Sequence, residues 1–266
     1  MTAGSPFPSP RPVALVTGAA RRIGRAIALE LARGGFDVAI HHRASAADAQ
    51  GVALEVQALG ARACVFAADL ADEPACRALV SAVVAQAGRL DAVVNNASHF
   101  AYDDVASFSY AALDAHWRAN TAPAIVLAQA LLQHLQSAGR EGCVVNLLDQ
   151  KLVNPNPDYL SYTLSKAALD AATTMLAQAL APRVRVAAVA PGVTLLSGAM
   201  SEAEFTTAHR LTPLARSSTP EDVARAVRFV IESPAITGTT LLVDGGQHLQ
   251  PQPRDVMFLA RQSTPP

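Results

Sequence analysis

The sequence predicts an α/β fold: one domain built on a doubly wound, seven-stranded parallel sheet with helices on both faces. Three observations predict it. Short apolar runs alternate with longer helical patterns along the chain, the order that βαβ crossovers produce. The 266 residues are 51% hydrophobic and only 16% charged, with a mean hydropathy of +0.23, as suits strands covered on both faces. The first strand also runs directly into a glycine-bearing loop that opens a helix, Thr17-Gly-Ala-Ala-Arg-Arg-Ile-Gly24.

In order, strands are expected at 13–16, 38–41, 63–67, 92–95, 143–148, 185–190 and 240–243, each a run rich in β-branched or small apolar residues. Helical stretches fall between them at 22–33, 46–59, 73–87, 110–136, 159–180 and 221–231. The last has a clear start: Thr219 as cap, Pro220 in the first position and acids Glu221 and Asp222 in the first turn. Residues 1–12, with four prolines, read as a flexible tail and 13–246 as the folded domain. A lid is expected near 195–215, with a helix at 201–209. Residues 247–266 form an extension whose apolar stretch at 256–260 either docks on a neighbouring subunit near a substrate pocket or stays loose.

Bulk properties exclude several functions. A net charge of −1 without a basic block speaks against nucleic acid and anionic membranes. No apolar run reaches the ~18–20 residues of a membrane span, and no basic-then-apolar leader pattern is present, so a cytoplasmic protein is expected. Cys64, Cys76 and Cys143 are widely spaced and read as buried apolar residues in a reducing compartment. His41 and His42 are adjacent on a strand and point to opposite faces, so no metal site is expected.

The chemistry centres on Tyr162 and Lys166, with Asp149 thirteen residues before the tyrosine. Residues four apart share a helix face, so the ammonium is expected to favour ionisation of a phenol whose ordinary pKa is ~10. In the loop after the first strand, Gly18 permits a tight turn, Gly24 close helix packing, and the helix N-terminus offers N–H groups to a pyrophosphate. The second strand ends in His41-His42-Arg43 without the acid that would bind a ribose 2′-hydroxyl. Arg22, Arg43 and Ser45 instead suit a 2′-phosphate, which favours NADP(H) over NAD(H). Asp69 either accepts a hydrogen bond from the adenine amine or caps a turn.

Together with Asn95-Asn96-Ala97, Asn120, Pro191-Gly192 and Asp244-Gly245-Gly246, these motifs resemble the short-chain dehydrogenase/reductase family over about residues 13–246. The resemblance implies a Rossmann fold and a homotetramer built through the two long helices and the last strand. It implies that Asn95 steadies the central sheet and that Asn120 holds a water in a proton relay to Lys166. Lys166 would also bond the nicotinamide ribose, Pro191 and Gly192 would pass the nicotinamide, and Thr194 would touch its amide or the phosphates. Ile23, His41, Leu70, Asn96, Ala97 and Ser98 complete the implied cofactor site.

Within that family the chain looks like the pteridine reductases. Arg22 at the middle glycine position, Asn95-Asn-Ala-Ser98-His-Phe100, Asp149 in place of the usual serine, and Pro191-Gly-Val-Thr-Leu-Leu196 carry the likeness. His41-His-Arg-Ala-Ser45 departs from it, its arginine lying one place out of step, which leaves open which side chain holds the 2′-phosphate. The implied substrate site is Ser98, Phe100, Asp149, Tyr159 and Tyr162.

Physical reasoning supports the aspartate. A pterin offers ring C=N bonds, so a proton must reach a ring nitrogen. A carboxylic acid of raised pKa in a partly dry pocket can supply it. An ionised carboxylate would oppose a developing alkoxide, and Phe100 offers a face on which a flat ring can stack. The expected activity is NADPH-dependent reduction of a pterin or dihydropterin, dihydrofolate included. The alternatives are reduction of another carbonyl or imine and a non-catalytic cofactor-binding regulator.

Overall fold

The computed structural model describes residues 11–196 and 200–263. Most of the expected tail, residues 197–199 of the expected lid and residues 264–266 lie outside them. Seven strands form one sheet: β1 Val13–Val16, β2 Asp37–His42, β3 Ala63–Ala67, β4 Ala92–Asn95, β5 Gly142–Leu147, β6 Val184–Pro191 and β7 Thr240–Val243. Every pairing is parallel, in the order β3-β2-β1-β4-β5-β6-β7. The direction of winding reverses between β1 and β4, and a ligand crevice forms at such a reversal beyond the carboxyl ends of the strands.

Alternation along β1 shows how the layers arise. Ala14 and Val16 join one buried cluster with Ile27, Leu31, Val223 and Val227, from helices α1 (Arg22–Arg33) and α8 (Pro220–Glu232). Val13 and Leu15 face the other way, against Leu79 and Val83 of α3 (Glu73–Ala87) and Leu127, Leu131 and Leu135 of α5 (Ala122–Ala138). Helix α2 (Ala46–Ala58) adds Val52 and Val56 to the first layer. Thr219 caps α8 as expected, its hydroxyl accepting from the Asp222 N–H while the Asp222 carboxylate accepts from the Thr219 N–H.

The continuous helix expected over 110–136 is interrupted. Helix α4 (Tyr110–His116) passes into a π-turn, Trp117–Thr121, before α5 resumes. Pro123 has no N–H with which to continue the α ladder, and the wider turn directs Asn120 and Thr121 into the protein, where both are buried. Helix α6 (Leu160–Leu180) carries Tyr162 and Lys166. Asp103 caps it from a distant loop, accepting from the Ser161 N–H at 2.9 Å, while Tyr159 enters with a φ of 56°.

Past β6, α7 (Glu202–Arg210) falls in the expected lid. In the described part of the C-terminal extension, α9 (Val256–Ser263) folds back on its own chain, with Val256 and Ala260 buried beside Ala208 and Leu211. Among the described residues no helix is long and apolar enough to cross a membrane.

Candidate active site

A cleft of about 650 Å³ opens at the carboxyl ends of the strands. Gly18, Arg22, Ile23 and Gly24 floor it at the β1–α1 turn, and His41, Arg43 and Ser45 stand at the end of β2. Asp69, Leu70, Asn96, Ala97 and Ser98 continue along one wall, with Pro191, Gly192 and Thr194 on the other. Phe100, Asp149, Tyr159 and Tyr162 close the far end.

The glycine loop is shaped for close approach. Gly18 has a φ of +62°, in the left-handed region. A Cβ on Gly24 would lie 2.3 Å from the Gly18 carbonyl oxygen and 2.6 Å from Asn96 Nδ2, so only glycine lets α1 start this near the strands. Asn96 braces the turn through its amide, donating to the Thr17 carbonyl at 2.8 Å. Thr17 Oγ1 receives the Asn96 and Ala97 N–H groups at 2.9 and 3.0 Å.

Arg22 occupies a left-handed conformation, φ 54°, which costs a residue with a side chain about 1–2 kcal/mol. Its guanidinium donates to the Leu196 carbonyl at 2.9 Å, on the β6 side of the cleft and away from the end of β2. Arg43 and Ser45 remain at that end, where Arg43 is exposed and engaged by no hydrogen bond or ion pair among the described residues. Arg21, which the sequence reading passed over, donates to Asp48 in the first turn of α2 at 2.7 Å.

His41 is a brace. The Gly18 N–H donates to its Nδ1 at 3.1 Å and its Nε2 donates to the Ala68 carbonyl at 3.0 Å. That pattern needs the neutral ring, and burial lowers its pKa to about 4. Asp69 accepts from the Ala71 N–H at 3.0 Å and still faces the cleft.

The expected catalytic residues divide into two groups. Tyr162, 8% exposed, donates its hydroxyl to Asp149 Oδ2 at 2.9 Å. The other Asp149 oxygen accepts from the Lys151 N–H at 2.9 Å, where the aspartate caps a 3₁₀ turn, Gln150–Leu152, just after β5. Burial raises the Asp149 pKa against the opposing pull of these two donors. Burial and then the Asp149 charge push Tyr162 well above its ordinary value.

Lys166 and Asn120 lie behind the cleft wall. Lys166 is 3% exposed, donates to the Leu147 carbonyl at 2.7 Å, and has a pKa lowered by burial to about 8. It stands 5.8 Å from the centre of the Tyr162 ring. The expectation that it favours the phenolate is not met in this arrangement: the phenol donates to the Asp149 side chain, and burial with the Asp149 charge raises its pKa. The Asn120 side chain is filled by protein partners. Its Nδ2 donates to the His99 carbonyl at 3.0 Å and to Ser165 Oγ at 2.9 Å, while its Oδ1 accepts from the His99 N–H at 2.7 Å and from Ser98 Oγ at 3.2 Å. It ties the Ser98–Phe100 segment to α6.

Phe100 stacks on Tyr159 with ring centres 4.3 Å apart and planes 16° apart, and meets Tyr162 edge-on at 4.7 Å. Thr194 Oγ1 and Ser218 Oγ share a hydrogen bond of 2.7 Å, holding Thr194 at the wall beside Gly192. Sequence reasoning missed Lys151, Asp255 and Met257, which also line the cleft; the apolar stretch in the polar extension was the one signal for the last.

The family model described as Enoyl-(Acyl carrier protein) reductase matches residues 18–248. Solved structures of FolM alternative dihydrofolate reductase 1 in complex with NADP are similar throughout. The Brucella suis protein is 42% identical with a TM-score of 0.86, over 91% of this chain and 97% of that one. The Brucella canis protein is 40% identical with a TM-score of 0.84, over 90% and 95%. Pteridine reductase 1 of Leishmania tarentolae is 32% identical over 90% of this chain and 96% of its own. A 3-oxoacyl-[acyl-carrier-protein] reductase of Staphylococcus aureus is 34% identical over 89% and 98%. With a parallel sheet in this order, a glycine loop at its reversal, and Tyr162 on the cleft with Lys166 behind it on the same helix, the chain belongs to the short-chain dehydrogenase/reductase family and shares the likeness of its pteridine reductases.

Proposed function

We propose that this protein is an NADPH-dependent reductase of a pterin or dihydropterin. The observation that carries the reading is the Tyr162 hydroxyl bonded to the Asp149 carboxyl at 2.9 Å beside the exposed face of Phe100. NADPH held along this cleft would supply a hydride from its reduced nicotinamide. The protein's own groups do the rest. The N–H groups at the start of α1 and the loop closed by Gly24 would receive its pyrophosphate, and Arg43 with Ser45 would hold the 2′-phosphate. Arg22, anchored on Leu196, lines the cleft and would offer its remaining N–H groups to the cofactor's phosphates.

Asp149 and Tyr162 form one proton-holding unit. Burial raises the pKa of both groups, so a protonated Asp149 beside the neutral phenol can supply a proton to a ring nitrogen, directly, through Tyr162 or through water. Phe100 receives the flat ring, and Ser98, fixed by Asn120, stands at its edge. Likeness to proteins named for pteridine and dihydrofolate reduction supports this assignment.

Reduction of another carbonyl or imine is the second reading, favoured by the likeness to the 3-oxoacyl reductase. A neutral Asp149 would not oppose an alkoxide, but a serine hydroxyl would do that work without a buried acid. Steady-state NADPH oxidation separates the two. Dihydrobiopterin or dihydrofolate should be reduced with a higher kcat/KM than a 3-oxoacyl thioester, and turnover confined to carbonyl compounds would select the second reading.

A further inference from the structure

The acceptor end of the cleft has an outer wall that the chemistry above does not use. After β7 the chain crosses the cleft mouth, and Gln252, Asp255 and Met257 line it. Its anchor is Asp158, 2% exposed, at the entrance to α6. The Asp158 carboxylate accepts from Arg254 Nε and Nη2, each at 2.8 Å, and from the Asp255 N–H at 2.7 Å. A buried carboxylate needs such partners, and these three donors all come from the C-terminal segment.

Seated there, Asp255 meets the Lys151 ammonium at 3.4 Å, and Lys151 also donates to the Asp158 carbonyl at 2.5 Å. Met257 is buried against Tyr159 and Tyr162, with its sulfur 4.0 Å from the Tyr159 hydroxyl. One turn further, Arg261 pairs with Glu204 on α7 at 2.9 Å. The segment therefore fastens the start of the catalytic helix to the lid helix, across the place an acceptor must enter.

We infer that residues 252–257 are a specificity element: a wall set by the Asp158–Arg254 clamp, with Met257 packed on Tyr159 and Tyr162, that admits a flat ring beside Phe100 and excludes flexible acyl chains. Arg254 is a positioning residue and does not touch the acceptor. The identity of the flat acceptor rests on the pterin reading; the clamp and the wall do not. A wall fastened in advance of binding lowers the ordering cost when the acceptor arrives.

The test uses Arg254→Met, which keeps the packing over the Phe258 ring, 4.6 Å from the guanidinium carbon, and removes the clamp. Pterin binding to the NADP⁺-loaded protein is measured by calorimetry, beside KM, kcat and the NADPH dissociation constant. The acceptor dissociation constant and KM should rise by about tenfold or more, with NADPH affinity held within about twofold. Arg254→Lys, which keeps a donor, should recover part of the loss. Met257→Ala should raise the kcat/KM of acyl-chain ketones relative to pterins. Wild-type acceptor affinity in Arg254→Met with unchanged selectivity in Met257→Ala would overturn the inference. So would equal loss of acceptor and NADPH affinity in Arg254→Met, the mark of a merely structural clamp. If the wild-type protein reduces no pterin, the functional reading falls, and the wall is judged by the same shifts on the acceptor it does reduce.

Discussion

Replacing Asp149 by asparagine separates its chemistry from its shape. The amide keeps the side chain's size, and its oxygen still accepts from the Lys151 N–H, now at 2.9 Å. Its NH2 then faces the Tyr162 oxygen, across the 2.9 Å now spanned by a hydroxyl donating to a carboxylate. The direction of that hydrogen bond reverses and the ionisable proton is gone. A positioned acid contributes about 10²- to 10⁴-fold, so pterin reduction should fall by that factor, about 3–5 kcal/mol in the barrier. The assay is kcat for dihydropterin reduction followed by NADPH absorbance across the neutral range.

The pH dependence gives the sign. Burial raises the Asp149 pKa, so the protonated fraction, and with it the wild-type rate, falls as pH rises through that raised value. In Asp149→Asn this limb should vanish. A variant within about threefold of wild-type kcat, with the same pH limb, would refute the role given to this carboxyl.

Three further outcomes follow from other parts of the site. Lys166 gives up its proton near 8 in the fold against 10.5 ordinarily, so its buried charge opposes folding below about pH 8 and the opposition fades as pH rises towards 10.5. The stability gap between the cofactor-free protein and Lys166→Met should change by on the order of 3 kcal/mol across that window, in favour of the wild type. A pH-independent gap in denaturant unfolding would contradict it. Gly24→Ala should weaken NADPH binding, read by fluorescence titration, by about tenfold or more, because its methyl would meet the Gly18 carbonyl at 2.3 Å; unchanged binding would refute the tight-loop account. Asn120→Ala should lower unfolding free energy by about 2–4 kcal/mol through its lost hydrogen bonds, whereas lost rate at full stability would favour a pure relay role.

The strands were legible because parallel sheets bury both faces, and runs such as Val13–Val16 have no other stable use. Gly18 and Gly24 were legible because few residue types fit those turns, and Tyr162 and Asp149 because their spacing along the chain brings them together in the cleft. Arg22 was visible as an anomaly but not in its direction, since only the fold brings the Leu196 carbonyl within its reach. His41 was expected only as part of the cofactor site, and its brace between the Gly18 N–H and the Ala68 carbonyl has no local trace, because the fold alone brings those groups together. The π-turn left Pro123 as its trace within an otherwise continuous helical pattern. The Asp158–Arg254 clamp joins residues 96 positions apart, and neither end carries a local pattern that announces the other.

The central claim is that a hydride reaches a ring carbon of a pterin while the Asp149–Tyr162 pair protonates the adjacent nitrogen. A single turnover with NADPH deuterated at the transferred position tests it directly, with the pterin product examined by mass spectrometry and NMR. The account requires deuterium on a ring carbon, with transfer slowed in Asp149→Asn. A pterin recovered without deuterium, or labelled only at a side-chain carbonyl carbon, would contradict it.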